Sequence, residues 1–258
     1  MQRHLILLYG AISYALTLGA FAYLAGFVIG WGTPTVLDGP ARLSLPTALA
    51  VNAGLLALFG LQHSLMARQG FKRWLTRFVP QAAERSTYCL MSCVALFVLY
   101  AFWQPMGGTI WEVESVVGRN FLYALYASGW AVVLCTSFLI HHFDLFGLRQ
   151  VWLNWLGKPY TPLRFRTPGP YRYVRHPLYV GWLMVFWITP YMTAAHLVFA
   201  LGLTAYILIA IRYEERDLVA HFGREYAVYK RRTPMLIPRV LSGSEADRPT
   251  VAVKSPVV

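Results

Sequence analysis

Three stretches of this chain, residues 5–31, 43–66 and 121–140, contain no Asp, Glu, Lys or Arg. A run of about 20 such residues spans a hydrocarbon core about 30 Å thick. No soluble fold of this size needs three of them. Residues 86–103 and 194–211 read as two further spans, the latter slightly short. Residues 178–192 are harder, because Pro190 falls near their end and, at about 1.5 Å per residue, they do not reach across a bilayer. The expectation is an all-α polytopic membrane bundle: five full spans plus a short sixth segment that forms a C-terminal helical hairpin with residues 194–211, turning at Thr193.

Lys and Arg fix the expected orientation. Arg68, Lys72, Arg73, Arg77 and Arg85 share one connection, and six basic residues lie between His141 and His176, whereas the connections around Asp38 and Glu112 hold only Arg42 and Arg119. The positive-inside rule then puts both termini and the basic loops in the cytoplasm, and parity agrees, because six membrane segments return the chain to its starting side. A bacterial inner membrane is the expected location. The net charge of +12 follows from this topology and from anionic headgroups, so lipid is the expected partner. Neither nucleic acid nor an obligatory protein partner is inferred.

The first apolar run is too long for a signal-peptide core and reads as a retained helix. Residues 1–240 read as a single membrane domain whose cofactor-binding part is 141–240, and residues 241–258 as a disordered tail. No Gly-x-Gly-x-x-Gly or Walker loop is present. Cys89, Cys93 and Cys135 form no Cys-x-x-Cys and read as small buried apolar residues.

Charged residues make up only 13% of the chain, yet two polar clusters bracket the last hydrophobic hairpin. Ahead of it runs Gly169-Pro170-Tyr171-Arg172-Tyr173-Val174-Arg175-His176-Pro177-Leu178-Tyr179-Val180-Gly181, and behind it Glu214-Glu215-Arg216-Asp217. Ionisable groups at a membrane edge are costly to desolvate, which points to a site there. Pro177 suits the first position of a helix whose N–H groups, with Arg172 and Arg175, would seat a carboxylate or phosphate. An Arg-rich loop resting on headgroups explains the same residues equally well. Two adjacent carboxylates repel, and either a cationic ligand or a salt-bridge network relieves them. Taken together the clusters complement a zwitterionic amino-acid moiety.

The run 169–181, Glu214-Glu215 and Phe222-Gly223-Arg224-Glu225-Tyr226-Ala227-Val228-Tyr229 resemble the S-adenosylmethionine signature of membrane methyltransferases related to isoprenylcysteine carboxyl methyltransferase and phospholipid methyltransferase. The resemblance covers about the C-terminal third. It implies that Tyr171, Arg175, His176, Pro177, Tyr179, Gly181, Glu214 and Glu215 hold S-adenosylmethionine, with Glu214 or Glu215 on its amino group. Tyr171, Tyr179, Tyr226 and Tyr229 either stack on the adenine or anchor the interface.

The N-terminal runs Leu61-Gln62-His63-Ser64-Leu65-Met66-Ala67-Arg68 and Glu84-Arg85-Ser86-Thr87-Tyr88 resemble nurim and the bacterial methanethiol S-methyltransferases. This implies methyl transfer to a small thiol, giving dimethyl sulfide from methanethiol, rather than to a prenylcysteine carboxyl or a lipid. A nurim-like protein without turnover is the other alternative. Gln62, His63, Arg85, Tyr88, His141, His142 and Asp144 all fall at the cytoplasmic ends of spans. Thiol methylation requires the thiolate, so His63 or His141 is expected to take the proton while Arg85 stabilises the anion, Tyr88 completing the catalytic set. No metal site is expected, because adjacent His side chains diverge on a helix.

Overall fold

A computed structural model describes residues 1–238, so the tail expected at 241–258 lies outside the described residues. Five helices are long and apolar enough to cross a membrane: α1 (Gln2–Ile29), α2 (Leu45–Met66), α4 (Glu84–Phe102), α5 (Val116–Leu139) and α9 (Ala194–Phe222). Between them lie the short helices α3 (Gln69–Leu75), α6 (His142–Leu145), α7 (Leu148–Trp155) and α8 (Pro177–Trp187), and α10 (Arg224–Arg232) follows α9. The protein is an integral membrane helical bundle.

Helix α8 is shorter than the apolar run that encodes it. It stops at Trp187, with Ile188 already extended, because Pro190 lacks an N–H and disfavours helical geometry in the residue before it. Residues 191–193 (β2) instead pair antiparallel with Thr109–Glu112 (β1), a strand pair absent from the sequence expectation. Asp38 ties this end together, accepting from the Thr193 hydroxyl and lying 3.1 Å from Nδ1 of the fully buried His196. His196 Nε2 sits 3.0 Å from the Phe186 carbonyl and so closes the last turn of α8.

At the opposite end, α9 continues three turns past Ile211. Glu214 and Glu215 therefore stand on a helix, not in the loop after it. The core between the two ends is aromatic: Phe27, Tyr100, Trp103, Phe186 and Phe199 pack with Leu99 and Val185. Tyr100, buried completely, satisfies its hydroxyl by donating to the Ala20 carbonyl.

Glycine sets the closest helix crossing. A Cβ on Gly181 of α8 would lie 2.9 Å from the Val133 amide nitrogen and 3.0 Å from the Gly129 carbonyl of α5, and one on Gly129 would meet Met184 Cβ at 2.9 Å. Small residues on both helices let the backbones touch, the usual basis of helix association in lipid. Gly181, expected from the resemblance to hold cofactor, here serves this crossing and faces α5.

Candidate active site

A cavity of about 770 Å³ opens at the end of the bundle that carries Glu214 and runs inward between α1, α4, α8 and α9. His63, Arg85, Tyr88, His141, Tyr171, Arg175, His176, Tyr179 and Glu214 all line it. The structure thus gathers residues from five separate stretches of sequence at one mouth. Gln62, Asp144, Pro177, Gly181 and Glu215 are not on its wall. Asp144 instead pairs with Arg149 at 2.8 Å, and Gln62 donates to Met66 Sδ.

The two adjacent glutamates do different work. Glu215 is 4% exposed and surrounded by nitrogen groups: Arg175 Nε donates to Oε1 at 2.6 Å, His176 Nε2 lies 3.1 Å from the same oxygen, and Lys230 Nζ is 2.9 Å from Oε2. It binds α9 to the start of α8 and to α10. Glu214, one residue and about 100° further round the helix, turns into the cavity and accepts one hydrogen bond, from the Tyr179 hydroxyl at 2.8 Å. Only Glu214 keeps acceptor capacity for a ligand. Glu215, expected as a ligand group, is a support for Arg175 and His176.

In the first turn of α8, where an anion seat is expected, the Tyr179 and Val180 amides donate to the His176 carbonyl at 3.0 and 3.2 Å. Just ahead of the helix, the amides of Arg175 and His176 donate to the carbonyls of Pro234 and Met235 at 2.8 and 3.1 Å. Arg175 Nη1 donates to the carbonyls of Lys230 and Thr233. That leaves Nη2 as the guanidinium nitrogen without an acceptor among the described residues. Arg172 lies off the cavity wall.

Aromatic rings close the mouth. Phe165 packs on Phe222, Tyr226 and Tyr229 with centroids 5.3–5.7 Å apart, and the Tyr229 hydroxyl donates to the Tyr171 carbonyl at 2.6 Å. Burial raises the Tyr171, Tyr226 and Tyr229 phenol pKa values, so all three remain neutral donors. The Tyr226 hydroxyl is buried with no hydrogen-bond partner among the described residues. Arg164, Phe165 and Arg166 were not anticipated; an Arg-Phe-Arg triplet in a loop carries no periodic signal.

Deeper in, His63 makes a chain of directed hydrogen bonds. Ser92 Oγ donates to the Tyr88 carbonyl at 2.9 Å, so it accepts from His63 Nδ1–H at 3.0 Å. His63 Nε2 is then the bare nitrogen, and it accepts the Tyr88 phenol proton at 2.6 Å. The Arg85 guanidinium lies over the Tyr88 ring, 4.8 Å from its centroid, held there by donation from Nε to the Leu145 carbonyl at 2.7 Å. His141 lines the same cavity and is the one described non-glycine residue with positive φ, 71°, a strained backbone of the kind retained where function requires it.

The cavity also meets the lipid. Helix α1 is tied to α6 through Tyr14 with His142 at 2.8 Å and to α5 through donation from the Tyr126 hydroxyl to the Ala25 carbonyl at 2.9 Å. Between those two ties Leu18 and Leu134 both line the cavity and are 39% and 46% exposed. Cys135, expected to be buried, is likewise exposed on the outer face of α5.

A cavity with an ionic mouth and an apolar interior can hold a charged group and a lipophilic one side by side. Residues 153–225 match the phospholipid methyltransferase family, and this match together with the relatives that follow gives the class as a membrane methyltransferase. The chain is 53% identical to a methanethiol S-methyltransferase of Crocosphaera subtropica over 92% of this chain and 93% of that protein. It is 51% identical to one of Mycobacterium tuberculosis over 92% and 98%, and 31% identical to nurim of Sus scrofa over 68% and 70%. The chain belongs to the methanethiol S-methyltransferase family. No solved structure matches it.

Proposed function

We propose that this protein methylates methanethiol to dimethyl sulfide with S-adenosylmethionine as donor, at the cytoplasmic face of the membrane. Relatives carrying the methanethiol S-methyltransferase name support the acceptor, and the Lys and Arg asymmetry of the loops supports the orientation. The observation that carries the mechanism is the directed hydrogen-bond chain Tyr88–His63–Ser92 on the cavity wall.

The residues at the mouth fit the donor. Glu214 has an oxygen for an ammonium group, Arg175 Nη2 is left to donate to a carboxylate, and the unsatisfied Tyr226 hydroxyl within the aromatic cluster suits a nucleoside. When bound, the donor supplies an electrophilic methyl group on a sulfonium.

The remaining chemistry falls to the chain. Attack requires the thiolate, and a simple alkyl thiol is mostly protonated at neutral pH. A thiol proton passes to the Tyr88 oxygen as the Tyr88 proton moves onto His63 Nε2, and Ser92 holds the imidazole in the receiving tautomer. Arg85 above the Tyr88 ring stabilises negative charge at that oxygen. The apolar interior excludes water, which otherwise favours the separated ions over the neutral thioethers. His141 lines the same cavity without a side-chain partner among the described residues.

The test is to incubate purified protein in detergent or nanodiscs with methyl-labelled donor and a panel of methanethiol, prenylcysteine and phospholipid. Label in volatile dimethyl sulfide is expected. Label in lipid or prenylcysteine alone overturns the reading.

A further inference from the structure

The cavity holds the proposed donor at its mouth as well as the acceptor, so the depth of its inner lobe, not the whole volume, bears on the size of the acceptor. Methanethiol has two heavy atoms, about the space of two or three water molecules at about 30 Å³ each. The cavity volume of about 770 Å³ lies in the range of sites for drug-sized ligands. The groups suited to a donor all sit at the mouth. Below Tyr88 the wall is formed by Phe21 and Leu24 of α1, Leu96 and Leu99 of α4, and Phe186 and Phe199 of α8 and α9. From Tyr88 to Leu99 the cavity follows α4 for about 16 Å at the helical rise.

Two polar side chains on this lobe, Thr17 and Cys93, are satisfied within the chain. Thr17 Oγ1 donates to the Ser13 carbonyl at 2.8 Å, and Cys93 Sγ donates to Thr17 Oγ1 at 3.4 Å. No ionisable carboxylate, amine or imidazole joins them on the wall below His63. A chamber of that kind suits a chain of methylenes and offers nothing to a headgroup. It is continuous with the Tyr88 oxygen at its upper end and with the lipid-facing gap between Leu18 and Leu134 at its side.

We infer that this lobe is a tail subsite, and that the enzyme also methylates longer unbranched alkane thiols, their sulfur at Tyr88 and their chain directed toward Leu99 and Phe199. The inference rests on the proposed thiol methyltransferase activity and widens its substrate class. The reaction balances as for methanethiol: the S–H bond breaks and its proton leaves through Tyr88 and His63, a C–S bond forms to the alkyl sulfur, and the donor's sulfonium–methyl bond breaks to leave a neutral thioether.

The experiment compares methanethiol, propanethiol and hexanethiol at known aqueous concentrations, with wild type and with Leu96→Trp, which fills the lobe away from the reacting groups. kcat/KM is expected to rise about fourfold per added methylene in wild type, the factor that corresponds to burying one methylene. Leu96→Trp is expected to cut hexanethiol turnover more than tenfold and leave methanethiol within twofold. Leu24→Phe serves the same purpose from α1 if the first variant misfolds. Separately, hexyl methyl sulfide should raise the melting temperature of wild-type protein without donor and leave that of the lobe-filled variant unmoved. Methanethiol turnover with inert hexanethiol overturns the tail subsite and spares the proposed function. Loss of both overturns both, and hexanethiol turnover unaffected by either variant places its chain elsewhere and also overturns the subsite.

Discussion

The Tyr88 hydroxyl donates to Nε2 of His63 across 2.6 Å, and Tyr14 makes the same contact with Nε2 of His142 at 2.8 Å. Each histidine completes the arrangement by donating from Nδ1 to a serine, Ser92 or Ser137, whose own proton is spent on a backbone carbonyl. Only the first tyrosine lines the cavity. Both histidines and both serines reach the cavity wall, so the two sites differ in whether the tyrosine is there to meet a substrate.

If Tyr88 and His63 move the thiol proton, both His63→Ala and Tyr88→Phe lower kcat about 100-fold or more at pH 7, the usual worth of a general base. Turnover of His63→Ala then climbs about tenfold per pH unit as the thiol ionises unaided. The neutral phenols of Tyr171, Tyr226 and Tyr229, their pKa values raised by burial, keep the mouth intact over that range. A pH–rate profile of the variants with methanethiol checks this. An equal loss at every pH assigns His63 a scaffolding role.

Glu214 and Glu215 separate binding from folding. Glu214→Gln is expected to weaken donor binding tenfold to a hundredfold, the loss of one charge-assisted hydrogen bond, with the melting temperature unchanged. Glu215→Gln strands Arg175 and His176 beside a neutral amide and costs about 3 kcal/mol of stability. Calorimetric titration with S-adenosylmethionine and thermal unfolding in one detergent distinguish the two. Reversed phenotypes contradict the assignment.

These two residues also mark the limit of what the sequence discloses. The spans are legible because a membrane imposes length and apolarity on contiguous residues. The clusters at 169–181 and 214–217 are legible because charge at a membrane edge is costly. Which of two neighbouring carboxylates faces the cavity depends on how α8 and α10 pack against α9, and no local pattern encodes that. The same holds for the partners of His63, which stand 25 and 29 residues away on α4. The β1–β2 pair is non-local too, its strands separated by α5 and the short helices α6 to α8. Gly181 illustrates a different confusion: a glycine within a ligand-binding run is retained here for a helix crossing.

Tyr226 carries a buried hydroxyl with no partner among the described residues, an arrangement that costs stability unless a ligand fills it. Tyr226→Phe removes that cost. The variant is expected to melt at or above the wild-type temperature without donor, and to gain less than wild type when S-adenosylmethionine is added. Thermal unfolding with and without donor measures both. Equal stabilisation of the two proteins by donor removes the hydroxyl from the binding site.

His142 predicts how stability responds to acid. Burial lowers its pKa from the ordinary value near 6.5, because the charged ring would lose hydration and Nε2 could no longer accept from Tyr14. The folded protein therefore binds fewer protons at this position than the unfolded chain once the pH drops below about 6.5. The contribution is complete above that value and is lost progressively as the pH falls toward the folded-state pKa. Melting temperature is expected to decline between about pH 6.5 and 5, and His142→Gln, which keeps hydrogen-bonding capacity without titrating there, should flatten that part of the curve. Tyr14→Phe removes the donor but leaves the buried ring, so its acid limb should remain. If wild type and His142→Gln lose stability in parallel over this window, the acid sensitivity resides in groups other than His142.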